Sequence, residues 1–241
     1  CARHGCLAAG DTTAAVTVTS DTAVISLEGR YTVSPSDQTD YNALAGALAQ
    51  LGMFKGTGTA YGSGYDLEVA PTRIVGLVMF LRLLGEEQAA LASTAENPFA
   101  DTPDWCDRYV AYAYAQGYTK GVGAGAGGTL YFGPNSSLSA NEYLTFVLRA
   151  LGYTDGGESP DFTWETAVET GCDLGVLTQG EGELLSSGNF LRAQVAYVSC
   201  FALQAPMKQG GTLLEHLSAA GVLDKAAAQQ VLAEILPERI N

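Results

Sequence analysis

Leu51-Gly-Met-Phe-Lys-Gly56 leads on to Phe80-Leu-Arg-Leu-Leu-Gly85, and Gln116-Gly-Tyr-Thr-Lys-Gly121 leads on to Val147-Leu-Arg-Ala-Leu-Gly152. The first pair lies 65 residues apart (51 to 116) and the second 67 (80 to 147). Working outward, each pair sits in the same order of elements. Leu44, Ala47, Leu48 and Leu51 fall at i, i+3, i+4 and i+7, which predicts a helix ended by Gly52. A Gly/Tyr-rich loop follows from Gly56 to Asp66, and Pro71-Thr72 opens an apolar helix from Ile74 to Leu84, closed by Gly85. The sentence recurs as a helix from Trp105 to Gln116, a loop from Gly121 to Gly133 and a helix from Tyr143 to Leu151. It recurs again as a helix from Trp164 to Leu174, a loop containing Gly180, Gly182 and Gly188, and a helix from Arg192 to Leu203. A threefold helix–loop–helix repeat is the strongest signal in the chain.

The flanks differ. Residues 1–40 read as an extension with short strands, because Ala14 to Leu27 is β-branched, partly alternating and broken at Ser20-Asp21. Ser34-Pro-Ser-Asp37 reads as a turn into the first helix. Residues 41–95, 96–155 and 156–204 are the three units, and 205–241 a helical tail. In that tail Leu213–Ala220 and Lys225–Leu236 are amphipathic and suit a cap over the array. The expected fold is mainly α.

Composition excludes several functions. With 12 basic and 26 acidic residues the net charge is -14, which repels nucleic acid and gives no polybasic patch for a membrane. No apolar run is long enough to span a bilayer. The five cysteines include no C-x-x-C pair, and the histidines are only His4 and His216, so a zinc site has no support. Cys1 and Cys6 are close enough to bridge, whereas Cys106, Cys172 and Cys200 read as small buried apolar residues. A leading Cys1 is also what lipoprotein signal cleavage leaves. Neither a Ser-His-Asp triad nor a G-x-S-x-G elbow has candidates, no carboxylate pair stands out, and no cofactor is indicated, so catalysis is not expected.

The second unit carries Phe99-Ala-Asp101, Trp105, Gly117, Gly121, Gly128-Thr-Leu-Tyr131, Pro134 and Ser139-Ala-Asn-Glu142. The first has Thr72-Arg-Ile-Val75 at the helix start and the third Leu191-Arg-Ala-Gln194. From residue 41 to 204 this order resembles the S-layer homology (SLH) repeat, with its Phe-x-Asp element, Trp-led helix, glycine loop and Thr-Arg-Ala-Glu-like helix start, and looks like the diverged SLH tracts of Firmicutes proteins. The resemblance implies three repeats in a pseudo-threefold bundle. It also implies an extracellular, cell-surface location and noncovalent binding, in grooves between repeats, of a secondary cell-wall polysaccharide, often a pyruvylated one.

Candidate ligand residues follow from that chemistry. A guanidinium at a helix start suits a ketal carboxylate by its planar fork and the helix's partial positive charge. That singles out Arg73 and Arg192, with Thr72 beside the first. Lys55 and Lys120 recur and either support a groove or finish a helix near its negative end. At Ala140 the arginine is missing, so the second groove is expected to lack that contact, and Ser139 with Glu142 fits a capping box instead. Trp105 and Trp164 are expected to pack in the core where repeats meet. Arg82 and Arg149 are expected to be structural, reaching an acid or a helix C-terminus of a neighbouring repeat. The competing reading is a surface structural or protein-interaction module that self-assembles without glycan, for which residues 14–33 offer an edge strand.

Overall fold

A computed structural model describes residues 10–19, 24–33, 39–59 and 63–241, the first two stretches by their backbone alone. Cys1, Cys6 and the turn expected over residues 34–37 lie outside the described residues. Strands β1 (Gly10–Thr19) and β2 (Val24–Val33) pair antiparallel, with Gly10 opposite Val33 and Thr19 opposite Val24, as the alternating pattern predicts.

The rest is mainly helical: α1 (Tyr41–Gln50), α2 (Arg73–Leu83), α3 (Glu87–Ala92), α4 (Asp107–Ala115), α5 (Ala140–Ala150), α6 (Ala167–Asp173), α7 (Gln179–Ser186), α8 (Arg192–Ala202), α9 (Leu213–Ala219) and α10 (Lys225–Ile235). Two-residue strands β3 (Gly123–Ala124) and β4 (Leu130–Tyr131) stiffen the long glycine loop between α4 and α5. The carboxylate of Asp101 accepts from the amides of Phe132 and Gly133, both at 2.8 Å, which ties the Phe99-Ala-Asp101 element to the end of that loop.

Helices α2, α5 and α8 form the centre. α2 and α8 are buried on nearly every side, whereas α5 buries one broad face and leaves Asn141, Glu142, Arg149 and Ala150 partly exposed. Phe80 of α2 meets Phe146 of α5 at 5.6 Å between ring centroids, and Tyr143 of α5 shares a buried 2.6 Å hydrogen bond with Ser199 of α8. The outer helices pack in a circle around them, α4 against α2, α6 against α5 and α1 against α8. The tail folds back over this circle, with α10 packing on α1 and the carboxylate of Glu238 accepting from the Asp40 amide at the start of α1.

Two expectations fail here. Trp105 and Trp164 are 63% and 55% exposed, not core residues. Their helices begin later, at Asp107 and Ala167, so each indole stands in the preceding turn while Cys106 and Ala167 take the inward positions. Gly180 and Gly182 are not in a loop; they lie in α7, which a Thr178–Glu181 capping box starts. Their missing side chains serve close approach. A Cβ on Gly182 would lie 2.5 Å from Cys172 Sγ, and one on Gly180 would lie 2.7 Å from the Asn241 carbonyl oxygen. The C-terminus is held there as well. Buried Glu181 accepts from Arg239 Nε at 2.9 Å and from the Tyr197 hydroxyl at 3.0 Å, and Tyr197 in turn accepts from the Ile240 amide at 2.7 Å.

Candidate functional site

The starts of α2, α5 and α8 carry the sequence-predicted residues, and each meets the unit that follows it in the circle. Thr72 caps α2 in an extended conformation and bridges to Ser137. The first amides of α2 have no intrahelical acceptor. Arg73 N–H donates to the Ser136 carbonyl at 2.8 Å and Ile74 N–H to that of Pro134 at 3.1 Å, while Leu138 N–H donates back to Pro71 at 3.0 Å. The chains come close enough that a Cβ on Gly76 would stand 2.2 Å from Leu138 Cδ2. The start of α8 repeats this bonding on the loop before α2, Arg192 N–H donating to Val69 and Ala193 N–H to Leu67, both at 2.9 Å.

At these two junctions the arginine side chain turns inward. Arg73 is 5% exposed; its Nη1 donates to Glu142 at 2.8 Å, and its guanidinium lies 5.1 Å from the Phe132 ring and 5.2 Å from that of Phe146. Its Nε is buried and has no hydrogen-bond partner among the described residues. Arg192, also 5% exposed, donates through Nε to the Tyr65 carbonyl at 2.8 Å and through Nη2 to that of Lys55 at 3.3 Å, and lies 5.4 Å from the Phe54 ring. Burial lowers the pKa of both guanidinium groups, partly offset at Arg73 by Glu142 and at Arg192 by the charge of Asp66. Each arginine therefore acts as a rivet between units, Arg73 against two aromatic rings and Arg192 against one, and both hydrogen-bonded within the protein.

The third junction is built differently. Ser139 and Glu142 form the predicted capping box, and Glu142 is also the partner of Arg73, a second role that its spacing could not reveal. The amides of Ala140 and Asn141 find no loop carbonyl among the described residues. Asn141 instead uses its side chain, donating to the Glu165 carbonyl at 2.7 Å and accepting from the Val168 amide at 2.9 Å. An open groove of about 460 Å³ lies beside Ala140, the residue at the position that carries an arginine at the other two junctions. Ala70, Ser137 and Asn189, each three residues before the first residue of its central helix, meet at this groove, with Ala140, Leu185 and Phe190 along its wall.

The recurring lysines lie in two matching ion clusters. Lys55 pairs with Glu87 at 2.5 Å, and Glu87 also takes Arg82 at 2.7 Å. Lys120 pairs with Asp155 at 2.7 Å, and Asp155 also takes Arg149 at 2.5 Å. Arg82 and Arg149 are thus structural, but the acids they reach belong to their own units. Burial pushes the Asp155 carboxyl up, yet the bonds from Arg149 and Lys120 outweigh it and hold the group at about 2. The structure joins Arg192 to the Lys55 backbone and places Arg73 beside Thr72, but the two arginines serve different junctions. The aromatic beds under them, Phe132, Phe146 and Phe54, escaped the sequence reading because they come from the neighbouring unit's elements or from a long loop.

Among the described residues no group of His, Cys, Asp and Glu gathers as a metal site, and no helix is long and apolar enough to cross a membrane. No family model matches the chain. Over 176 residues, 71% of its length, the chain is 31% identical to a Thermoanaerobacter kivui protein named "Cell surface protein", and it spans about a fifth, 21%, of that protein.

Proposed function

We propose that this chain is a bacterial surface module, a binder and not an enzyme, that attaches noncovalently to secondary cell-wall polysaccharide through a groove between three SLH-like repeats. The observation that carries this reading is the circle of junctions: the starts of α2 and α8 donate backbone hydrogen bonds to the next unit's loop, the start of α5 reaches its neighbour through the Asn141 side chain, and beside Ala140 lies an open groove of ligand size. The name of the Thermoanaerobacter kivui relative supports a surface location, and the net charge of -14 suits an extracellular protein. In this reading Arg73 and Arg192, proposed from sequence as glycan ligands, serve the site by fixing the units that frame it; Thr72, Lys55 and Lys120 support the same frame.

The test is co-sedimentation of the whole chain with peptidoglycan carrying its wall polysaccharide and with peptidoglycan stripped of it. Sedimentation with the first only is the expected result; sedimentation with both, or with neither, refutes glycan attachment. A second reading, a surface structural protein that self-assembles, draws on the burial of both motif arginines, which leaves neither of these guanidinium groups exposed to an acidic glycan. It predicts concentration-dependent assembly in sedimentation velocity without any glycan.

A further inference from the structure

Building on that reading, we infer that the groove at Ala140 is the glycan-binding one and that it receives an uncharged sugar. The two junctions that keep the arginine are filled by it: Arg73 and Arg192 lie buried between rings and protein acceptors. At the third, the same position is Ala140, and the space of about 460 Å³ stays open. That volume falls within the roughly 300–1,000 Å³ of small-molecule sites.

The chemistry of the wall specifies the ligand class. Among the described residues no charged side chain lines the groove. Glu142, which accepts from the Ser139 hydroxyl at 2.9 Å, is already paired with Arg73, and that arginine is turned to this acid and two rings. An acidic sugar entering here would lose water around its carboxylate and gain no cation, which is unfavourable. An uncharged pyranose meets suitable groups instead. The exposed hydroxyls of Ser137 and Ser186 and the amide of Asn189 both donate and accept, as sugar hydroxyls do. Leu185 and Phe190 offer apolar surface for the C–H face of a ring. Trp164 begins the exposed turn whose next residue, Glu165, holds Asn141 of the groove wall, so an indole 55% exposed stands close to this junction.

The experiment measures binding of the full chain to purified wall polysaccharide before and after its acidic substituents are removed by mild acid, with wild type, Ala140→Arg and Ser186→Trp. Ala140→Arg places in the groove the side chain that fills the other two junctions; Ser186→Trp narrows it from the exposed lip, so it tests occlusion even where an arginine at 140 disturbs folding. The expected result is a wild-type Kd that changes by less than about twofold on removal of the acidic groups, and a loss of at least about tenfold for both variants on both polysaccharides. Loss of wild-type affinity by about tenfold or more when the acidic groups go, or tighter binding by Ala140→Arg, overturns the inference while the wall-glycan reading stands. Wild type that binds neither polysaccharide refutes both.

Discussion

Replacing Arg73 with Met separates a rivet from a ligand contact. The substitution keeps an apolar stem over Phe132 and Phe146 and removes the guanidinium that Glu142 accepts from at 2.8 Å. A hydrogen bond to a charged group contributes about 1.5–3 kcal/mol, and each partly desolvated cation–π contact about 0.5–2 kcal/mol, of which the thioether recovers a share. Two terms reduce the loss. The Arg73 Nε has no partner among the described residues, so removing it relieves a desolvation cost, and Glu142 keeps its bonds to Ser139 and 20% of its side-chain surface in water. The net cost is about 3 kcal/mol, at the lower end of the roughly 3–5 kcal/mol typical of a fully buried pair broken on one side. For a chain of this length that lowers the Tm by about 6–12 °C. The assay is thermal unfolding of wild type, Arg73→Met, Glu142→Gln and the double variant, read as a cycle alongside glycan co-sedimentation. A coupling energy of about 1 kcal/mol or more is expected. A Tm within about 2 °C of wild type, negligible coupling and complete loss of glycan binding would falsify the rivet and return Arg73 to the ligand.

Other consequences follow from the same contacts. Gly182→Ala, which in an ordinary helix stabilises, should destabilise by about 1–3 kcal/mol in denaturant unfolding, since its methyl group would meet Cys172 Sγ at 2.5 Å; an unchanged or raised midpoint contradicts the packing of α7. Glu181→Ala leaves Arg239 and Tyr197 without their buried acceptor and should free residues 239–241, seen as faster amide exchange of Ile240; unchanged exchange there means that Glu181 does not hold the terminus. The folded-state pKa of Asp155 is depressed from the ordinary 3.8 to about 2, so its contribution is complete above about pH 4 and fades as pH falls toward 2. Asp155→Asn should therefore flatten that part of the stability profile, and a profile equally steep in both proteins assigns the acid sensitivity to other carboxylates.

The sequence itself determined the order of eight of the ten helices among the described residues; α3 was not read from it, and α7 was read as a loop. Leu44 to Leu51 and Phe80 to Gly85 carry helical spacing with glycine stops, and recurrence of those stops marks the three units. The Ser139–Glu142 capping box and the absence of arginine at Ala140 were likewise legible, because capping and substitution are local. Short-range pattern could not reveal what lies across a junction. Arg73 and Arg192 look alike as exposed helix-start cations until Phe132, Phe146 and Phe54, with Glu142 in one case, close over them from the neighbouring unit or its loop. The same holds for Gly180 and Gly182, which read as loop residues but admit the C-terminus and Cys172 against a helix. Trp105 and Trp164 read as core because a large apolar side chain normally is, yet a helix start two or three residues later turns them outward. Propensity and periodicity act over one or two turns of chain, whereas the burial and pairing of Arg73 and Arg192 are settled by residues more than 50 positions away, so only the tertiary structure decided which of these cations are exposed and which groove stays open.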